Sequence, residues 1–408
     1  MTIAIGVFTQ VSYKVEATYG TIPAASSAQA LRRRSAKLEF NKATFESTEI
    51  RPDQQVNDFR HGVRTAKGTL QQDLAPKSGA DFWAAVLGRD FTAGASAAAV
   101  SLTVATGSVV NGVQLYTVAR GSGSYLTDGF KIGDVIRLTV GGLNAANIDK
   151  NLQIVALVAA TATVRTVNGT AMVAEGPISG CTVSVAGKKT YIPTTGHTNK
   201  SYSIEAWASD ITQSELYSGM KVAKAAVNMP ATGLADVTFD FSGQGLTTAQ
   251  AQYFTSPTAA PAFSSEAGVN GVICVDDKPQ QSVTALSFNV DRAMTGDPVV
   301  GSFVVPQQNP GIFRVTGQMS VLYADGALRD LFVNESETDI YVVLTCDNTA
   351  ASDFISFVLP RVKLNSAAKD DKIQNIVQTI AFQALFNSNG GAGTAEEQTT
   401  FSIQDTQA

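Results

Sequence analysis

One repetition constrains this chain more than any other feature. Segments 35–41 and 284–289 both carry Leu-x-Phe-Asn, at Leu38 to Asn41 and at Leu286 to Asn289, inside an alternation of apolar and polar residues. A period of two is the signature of a strand with one face buried. Each segment is followed by a long polar stretch holding Pro or Gly, then by a second matching strand pattern, 63–70 against 312–319. A short helical pattern follows each of those. Further on comes a third pair, 236–241 against 377–382. The pieces recur in one order, which reads as a tandem duplication of a β unit. The expected helices lie at 78–87 and 326–332. In the first, Ser78 or Asp81 is placed to cap, and Phe82 with Val86 and Trp83 with Leu87 form i, i+4 apolar pairs.

The copies differ in length. Phe40 to Phe241 spans about twice the distance from Phe288 to Phe382. The surplus lies after the first helix. From about 100 to 187 the chain has its own short strand patterns, enough for a small sandwich or barrel set into a loop of its host. The termini of such an insertion must lie close together. The expected division is therefore a discontinuous first unit of 1–99 plus 188–265, an inserted β domain of 100–187, and a second unit of 266–408.

Composition removes several function classes. Charged residues are 16% of the 408 and the formal net charge is −5, so there is no basic excess to form a sequence-independent nucleic-acid footprint. The one basic run, Arg32 to Arg34, reads as a solvated loop. Cys181, Cys274 and Cys346 are odd in number, far apart and without CxxC spacing or a nearby His. That argues against a disulfide framework or a zinc site and for folding in a reducing cytoplasm. The apolar start of the chain lacks the basic and long apolar regions of a signal peptide, and no run approaches the roughly 18 apolar residues of a membrane span.

Catalytic chemistry is also missing from the pattern. His61 and His197 each sit in a polar loop without a partnering Cys, His or acid cluster, and read as surface residues. No HExxH, GxSxG, P-loop or strand-linked GxGxxG occurs. The acid pairs Asp276–Asp277 and Asp370–Asp371 read as solvated turns, because neighbours on a strand point to opposite faces and cannot form a pair across a cleft. The expectation is a chain with no catalytic residues, no metal and no cofactor.

Several short segments in one order resemble a known family. Thr18 to Thr21, Phe45 to Ile50 and Arg60 to Leu70 resemble the opening of tail tube proteins of long-tailed bacteriophages. Lys200 to Glu205 and Gly219 to Val222 look like the return strands of the same domain, and Phe357 to Leu364, Asp370–Asp371 and Thr379 to Phe382 like its closing part. The resemblance covers most of the chain outside 100–187. It implies a mainly β fold: two tandem tail-tube-type β-sandwich domains, each with a short helix, plus an inserted Ig-like or β-barrel domain on the outside. It implies a structural virion protein, made in the host cytoplasm, whose rings stack into a tube for genome delivery. The implied partners are copies of itself, in trimeric pseudo-hexameric or else hexameric rings, with a tape measure protein and DNA in the lumen and terminator and baseplate proteins at the ends.

Two polar stretches, 41–63 and 291–311, are too long for tight turns, and long loops in compact domains are commonly functional. Both are expected to order on stacking and bridge adjacent rings, with Glu46, Glu49, Arg51, Asp53, Asp58 and Arg60 pairing across the joint. The lumen is expected to be smooth and not strongly basic. Two other roles fit less well: a secreted or surface adhesin with Ig-like modules, and a tail-associated protein that binds or hydrolyses carbohydrate.

Overall fold

The computed structural model describes residues 3–370 and 373–408. Met1, Thr2, Asp371 and Lys372 lie outside the described residues, so the reading of Asp370–Asp371 as a turn and the start of the N-terminal reading fall partly there. The fold is mainly β, with two α-helices, α1 (Ala80–Leu87) and α2 (Ala327–Val333), among the described residues.

One long sheet runs through the molecule, entirely antiparallel. Its strand order is Ser35–Glu46, Phe59–Asp73, Asp236–Gly243, Gln213–Pro230, Val283–Asp291, Arg314–Leu322, Val377–Ala384. Ala368–Lys369 and the end of Phe354–Leu364 follow on Val377–Ala384. The succession repeats: the first strand, its hairpin partner, a later strand beyond that, and last the strand that precedes it in sequence. The two series join where Gln213–Pro230 pairs with Val283–Asp291.

A second layer repeats as well. The first part of Gln213–Pro230 pairs with Tyr202–Ala208 and Gly245–Ala249, and Thr9–Val15 extends it. In the later half Phe354–Leu364 pairs with Glu337–Thr345 and Ser402–Asp405, and Val272–Val275 extends it. The alternation of the long sheet points Leu70, Phe239, Phe241, Phe288, Met319 and Phe382 inward, into one core cluster that spans both halves.

α1 lies at the junction. Trp83 meets Phe239 at 5.3 Å and Phe357 at 5.8 Å between ring centroids, so it touches both halves. Neither expected cap is used. The helix starts at Gly79, in left-handed backbone with φ 72°, without a side-chain cap. The Asp81 carboxylate instead accepts the Tyr13 hydroxyl at 2.9 Å.

Between α1 and Tyr202–Ala208 six strands close into a barrel: Ser96–Val110, Val113–Arg120, Val135–Thr139, Leu152–Leu157, Thr161–Thr166 and Glu175–Val185. It has its own core around Leu102, Val118, Phe130, Leu138 and Ile154. The segments flanking it pair directly, Lys188 opposite Ala93. The barrel rests on the later half through Leu115 and Val155 against Tyr341 and Val358. The Gln404 amide seals that contact by bonding both Val135 N–H and C=O.

The basic run is fully partnered and only partly solvated. Arg32 donates to Phe263 O at 2.6 Å, Arg33 to the Gly6 and Thr9 carbonyls, and Arg34 pairs with Asp73 and Asp236. Arg32 and Arg33 bind carbonyls outside the long sheet, because a cation with five donors can satisfy carbonyls that strands leave unpaired, while Arg34 ties two strands of the long sheet together at their ends. The three cysteines are free, and no helix among the described residues is long and apolar enough to cross a membrane.

Candidate assembly surfaces

Three surfaces follow from this architecture: the outer face of the long sheet, its two ends, and the hairpin tip.

The outer face is set by alternation. With Leu70, Phe239 and Phe288 inward, the residues between them face out, and these are polar. Charges on this face alternate in sign from strand to strand. The register places Arg314 opposite Asp291, Asp291 opposite Lys224, and Lys224 opposite Asp240. Lys67 likewise lies opposite Glu39. Directly opposed unlike charges on one face favour the pairing modestly, and they leave no basic stripe.

The ends of the sheet are unequal. Among the described residues Ser35–Glu46 pairs on one side only, with Phe59–Asp73. Among the described residues Ala368–Lys369 pairs on one side only, with Val377–Ala384. A row of unpaired backbone donors and acceptors is a template for another strand.

The hairpin of Ser35–Glu46 and Phe59–Asp73 carries the first long loop at its tip, and here the six expected contact residues sit. All are exposed. Arg51 forks onto Asp53, Nε to Oδ1 at 3.0 Å and Nη2 to Oδ2 at 2.9 Å, and donates to Asn57 at 2.9 Å. Asn57 reaches Glu49 at 3.5 Å. Arg60 binds Asp58 at 2.9 Å. The hydrogen bonds from Arg51 and Arg60 hold the Asp53 and Asp58 carboxyls below their ordinary range. Glu46 ends its strand opposite Phe59. The structure thus gathers Glu49, Arg51 and Asp53 into one cluster, Asp58 and Arg60 into another, and leaves Glu46 apart.

Sequence reasoning missed the apolar residues among them. Phe45 is 61% exposed, Phe59 53%, Val56 62% and Ile50 fully so. Exposed apolar residues within one hairpin and its loop are a better candidate for a contact surface than charges that already satisfy one another. The signal was available, as apolar residues scattered through a polar loop.

The second long loop behaves differently. Its residues 292–311 fold back along the chain's own first half. Arg64 N–H donates to Phe303 O at 2.7 Å, Gln244 donates to Val305 O at 3.0 Å, and the buried Lys221 ammonium donates to Gln308 O at 2.6 Å. Burial pushes Lys221 down to about 8. Arg292, at the head of this loop, is 1% exposed and donates to Ala85 O at 2.5 Å and Thr198 O at 2.8 Å. Ala85 is in the last turn of α1, where carbonyls lack helical partners and a cation is favoured. This loop spans the junction inside one molecule.

The two histidines, far apart in the sequence, lie on the surface. His61 packs edge-on against Phe59 and His197 stacks on Phe313 at 6.1 Å, both exposed. No group of three or more His, Cys, Asp or Glu suited to a metal occurs among the described residues. Two buried carboxylates are held by networks of donors. Glu16 accepts from Ser201, Ser203, Gly20 and Gly219, and Glu205 from Ser214, Tyr253 and Phe254.

No curated protein matches the chain. Residues 8–384 match the family described as phage tail tube protein, nearly the whole length. The chain belongs to the phage tail tube protein family.

Proposed function

We propose that this chain, a structural protein of the phage tail tube, closes with two copies of itself into a ring, and that rings stack into the conduit through which the genome leaves. The observation that carries this reading is the long sheet: a repeating strand order, already joined end to end once, with both outer ends unpaired. Head-to-tail addition of identical units closes when the rotation permits, and closure removes the edges. Three chains with eight sheet strands each give a barrel of about 24 strands. Barrels of roughly 16–18 strands already enclose an aqueous channel.

The wall of that channel is the polar outer face. Its alternating charges offer DNA, or a tape measure protein, no continuous run of cations to bind, and a polyanion slides where few phosphates are held. On this reading the chain is two tandem sheet units, 1–99 plus 188–265 and 266–408, with 100–187 as the inserted barrel on the outside. The tip of the first hairpin, with Glu46, Glu49, Arg51, Asp53, Asp58 and Arg60, contacts the next ring. Terminator and baseplate proteins meet the ends of the stack. No step of this function calls for catalysis.

Electron microscopy of the purified chain, with native mass measurement of isolated rings, tests it. Rings of three chains and tubes are expected. A chain that stays monomeric at every concentration overturns the reading, and a six-chain ring overturns the stoichiometry.

A further inference from the structure

We infer that the seam between neighbouring chains repeats the seam inside the chain in a defined register, with Glu39 of one copy opposite Ala368 of the next and Leu38 opposite Lys369. The inference rests on the ring reading above and names the contact by which it is made.

Two glycines fix the correspondence. Gly68 lies opposite Phe241 on one side and Leu38 on the other, and Gly317 lies opposite Phe382 and Phe288. A Cβ on Gly317 would meet the Ser287 carbonyl oxygen and the Phe382 ring at 2.5 Å, and one on Gly68 would meet the Leu38 side chain at 2.6 Å, so each glycine lets a large inward side chain of a neighbouring strand lie over its backbone. Taking them as the same station, Leu38 stands where Phe288 stands, and Glu39 where Asn289 stands. The shared Leu-x-Phe-Asn is thus two residues out of step in space. A shift of two leaves every side chain on its own face, so the pattern hides it. On the other side Thr238 opposite Ala226 corresponds to Thr379 opposite Ala368. Ala226 therefore matches Ala368, and Val227 matches Lys369. Inside the chain Ala226 faces Asn289 and Val227 faces Phe288. Carried to the open ends, those two pairs become Ala368 with Glu39 and Lys369 with Leu38.

Burial agrees independently. Leu286, Phe288 and Val290, covered by the internal seam, are at most 1% exposed, whereas their counterparts Ala36, Leu38 and Phe40 are only half-buried. The open end lacks what a neighbour would supply. Lys369 occupies the place of inward-facing Val227, and its ammonium lies 3.5 Å from the Tyr323 ring centroid. An inward-facing lysine is a common guard on an edge strand, and its alkyl stem can still cover Leu38 once the neighbour arrives.

Paired cysteines test the register in the full chain, with Cys346→Ser removing the half-exposed native thiol. Directly opposed residues lie about 4.5–5.5 Å apart at Cα, within disulfide reach, while diagonal ones lie about 7–8 Å apart. Three double variants are assembled and treated with a mild oxidant: Ala226→Cys with Asn289→Cys as the internal reference, Glu39→Cys with Ala368→Cys as the seam, and Lys37→Cys with Ala368→Cys as the register error. The internal pair should close within one chain. The seam pair should shift the chain on a non-reducing gel from monomer to ring-sized bands, and the error pair should stay monomeric. If the internal pair closes, rings are visible, and the seam pair remains monomeric, the register is wrong although the ring stands. Equal or better linking of the error pair overturns it as well. Absence of rings from the unsubstituted chain overturns the ring reading and this seam with it.

Discussion

The helices α1 and α2 occupy corresponding places after corresponding strands, yet their surroundings are opposite. Phe82 through Leu87 are all buried in α1, while in α2 only Leu328 is, and Phe332 and Val333 are exposed. The sequences do not explain this by hydrophobicity alone, since α2 carries Leu328, Leu331, Phe332 and Val333. The difference is position. α1 sits where the two halves meet and is covered by both; α2 sits where the chain stops supplying neighbours. A repeated unit is satisfied at an internal junction and left incomplete at an outer one.

The largest test of that contrast is a pair of truncations. Phe82 is fully buried and makes edge-on contacts with Tyr202, Phe239 and Phe241. Phe82→Ala should cost about 3–5 kcal/mol. Phe332→Ala should cost the isolated chain less than about 1 kcal/mol and weaken ring formation instead. Urea denaturation of the monomer and sedimentation of the assembled protein read the two effects. Equal destabilisation of the monomer breaks the comparison.

The cations at the two junctions come next. Arg292 is buried at the inner one, its guanidinium held below its ordinary range, at about 10, by desolvation. Its counterpart by the glycine correspondence is Lys42, which is exposed. Arg292→Ala leaves the carbonyls of Ala85 and Thr198 without a donor and should cost about 2–4 kcal/mol. Lys42→Ala should change monomer stability by no more than about 0.5 kcal/mol. The same denaturation curves decide.

Buried acids differ in how well they are satisfied, and a pH effect is expected at the one that is not. Glu16 and Glu205 are surrounded by donors, whereas Glu266 is buried with Oε2 unpaired. Burial, with Asp405, Asp353 and Asp347 nearby, raises Glu266 to about 9. Its folded form holds the proton more tightly than its unfolded form. Its contribution to stability is complete below about pH 4.5 and is lost as pH rises toward about 9. Glu266→Gln should therefore match the native chain near pH 5 and exceed it near pH 8, by about 1–3 kcal/mol. A constant difference between variant and native chain across pH 5–8 counts against this account.

How much of this was legible before the fold depends on range. Leu38 to Asn41 and Leu286 to Asn289 announced a repeat because alternation is local, and every strand of the long sheet carries it. The order of matched pieces reached the pairing order for the same reason. Register was not legible, since Leu38 to Asn41 and Leu286 to Asn289 lie two residues out of step when Gly68 and Gly317 are matched, and a slip of two preserves the face of every residue. The caps of α1 failed because Asp81 was drawn to Tyr13, a residue far away in sequence that no local rule can place. Arg32 to Arg34 looked like solvated charge, since their partners lie on Phe263, Thr9 and Asp236, brought close only by folding. The two long loops looked alike by length and polarity. What separates them is Arg292, whose destination, the end of α1, belongs to the other half.

Those loops provide the smallest effect on the fold and the clearest one on assembly. Residues 292–311 are fastened to their own chain by Lys221, Gln244 and Arg64, whereas the tip of the first hairpin leaves Ile50 and Val56 in solvent. Exposed apolar side chains contribute little to a monomer, so Ile50→Ser with Val56→Ser should shift its stability by no more than about 0.5 kcal/mol. If the tip meets the next ring, those side chains are buried there, and burying one is worth about 1.5–3 kcal/mol. The double variant should then form rings that stack poorly, seen as single rings or short stacks by electron microscopy. Deleting residues 51–57, which also removes the Arg51–Asp53 pair, should have the same outcome. Reversing the charges by Arg51→Asp with Asp53→Arg keeps the local pair and the apolar tip, and should stack nearly as well as the native chain. Full-length tubes from the serine variant, or loss of stacking only on charge reversal, would move the joint from the apolar tip back to the charges.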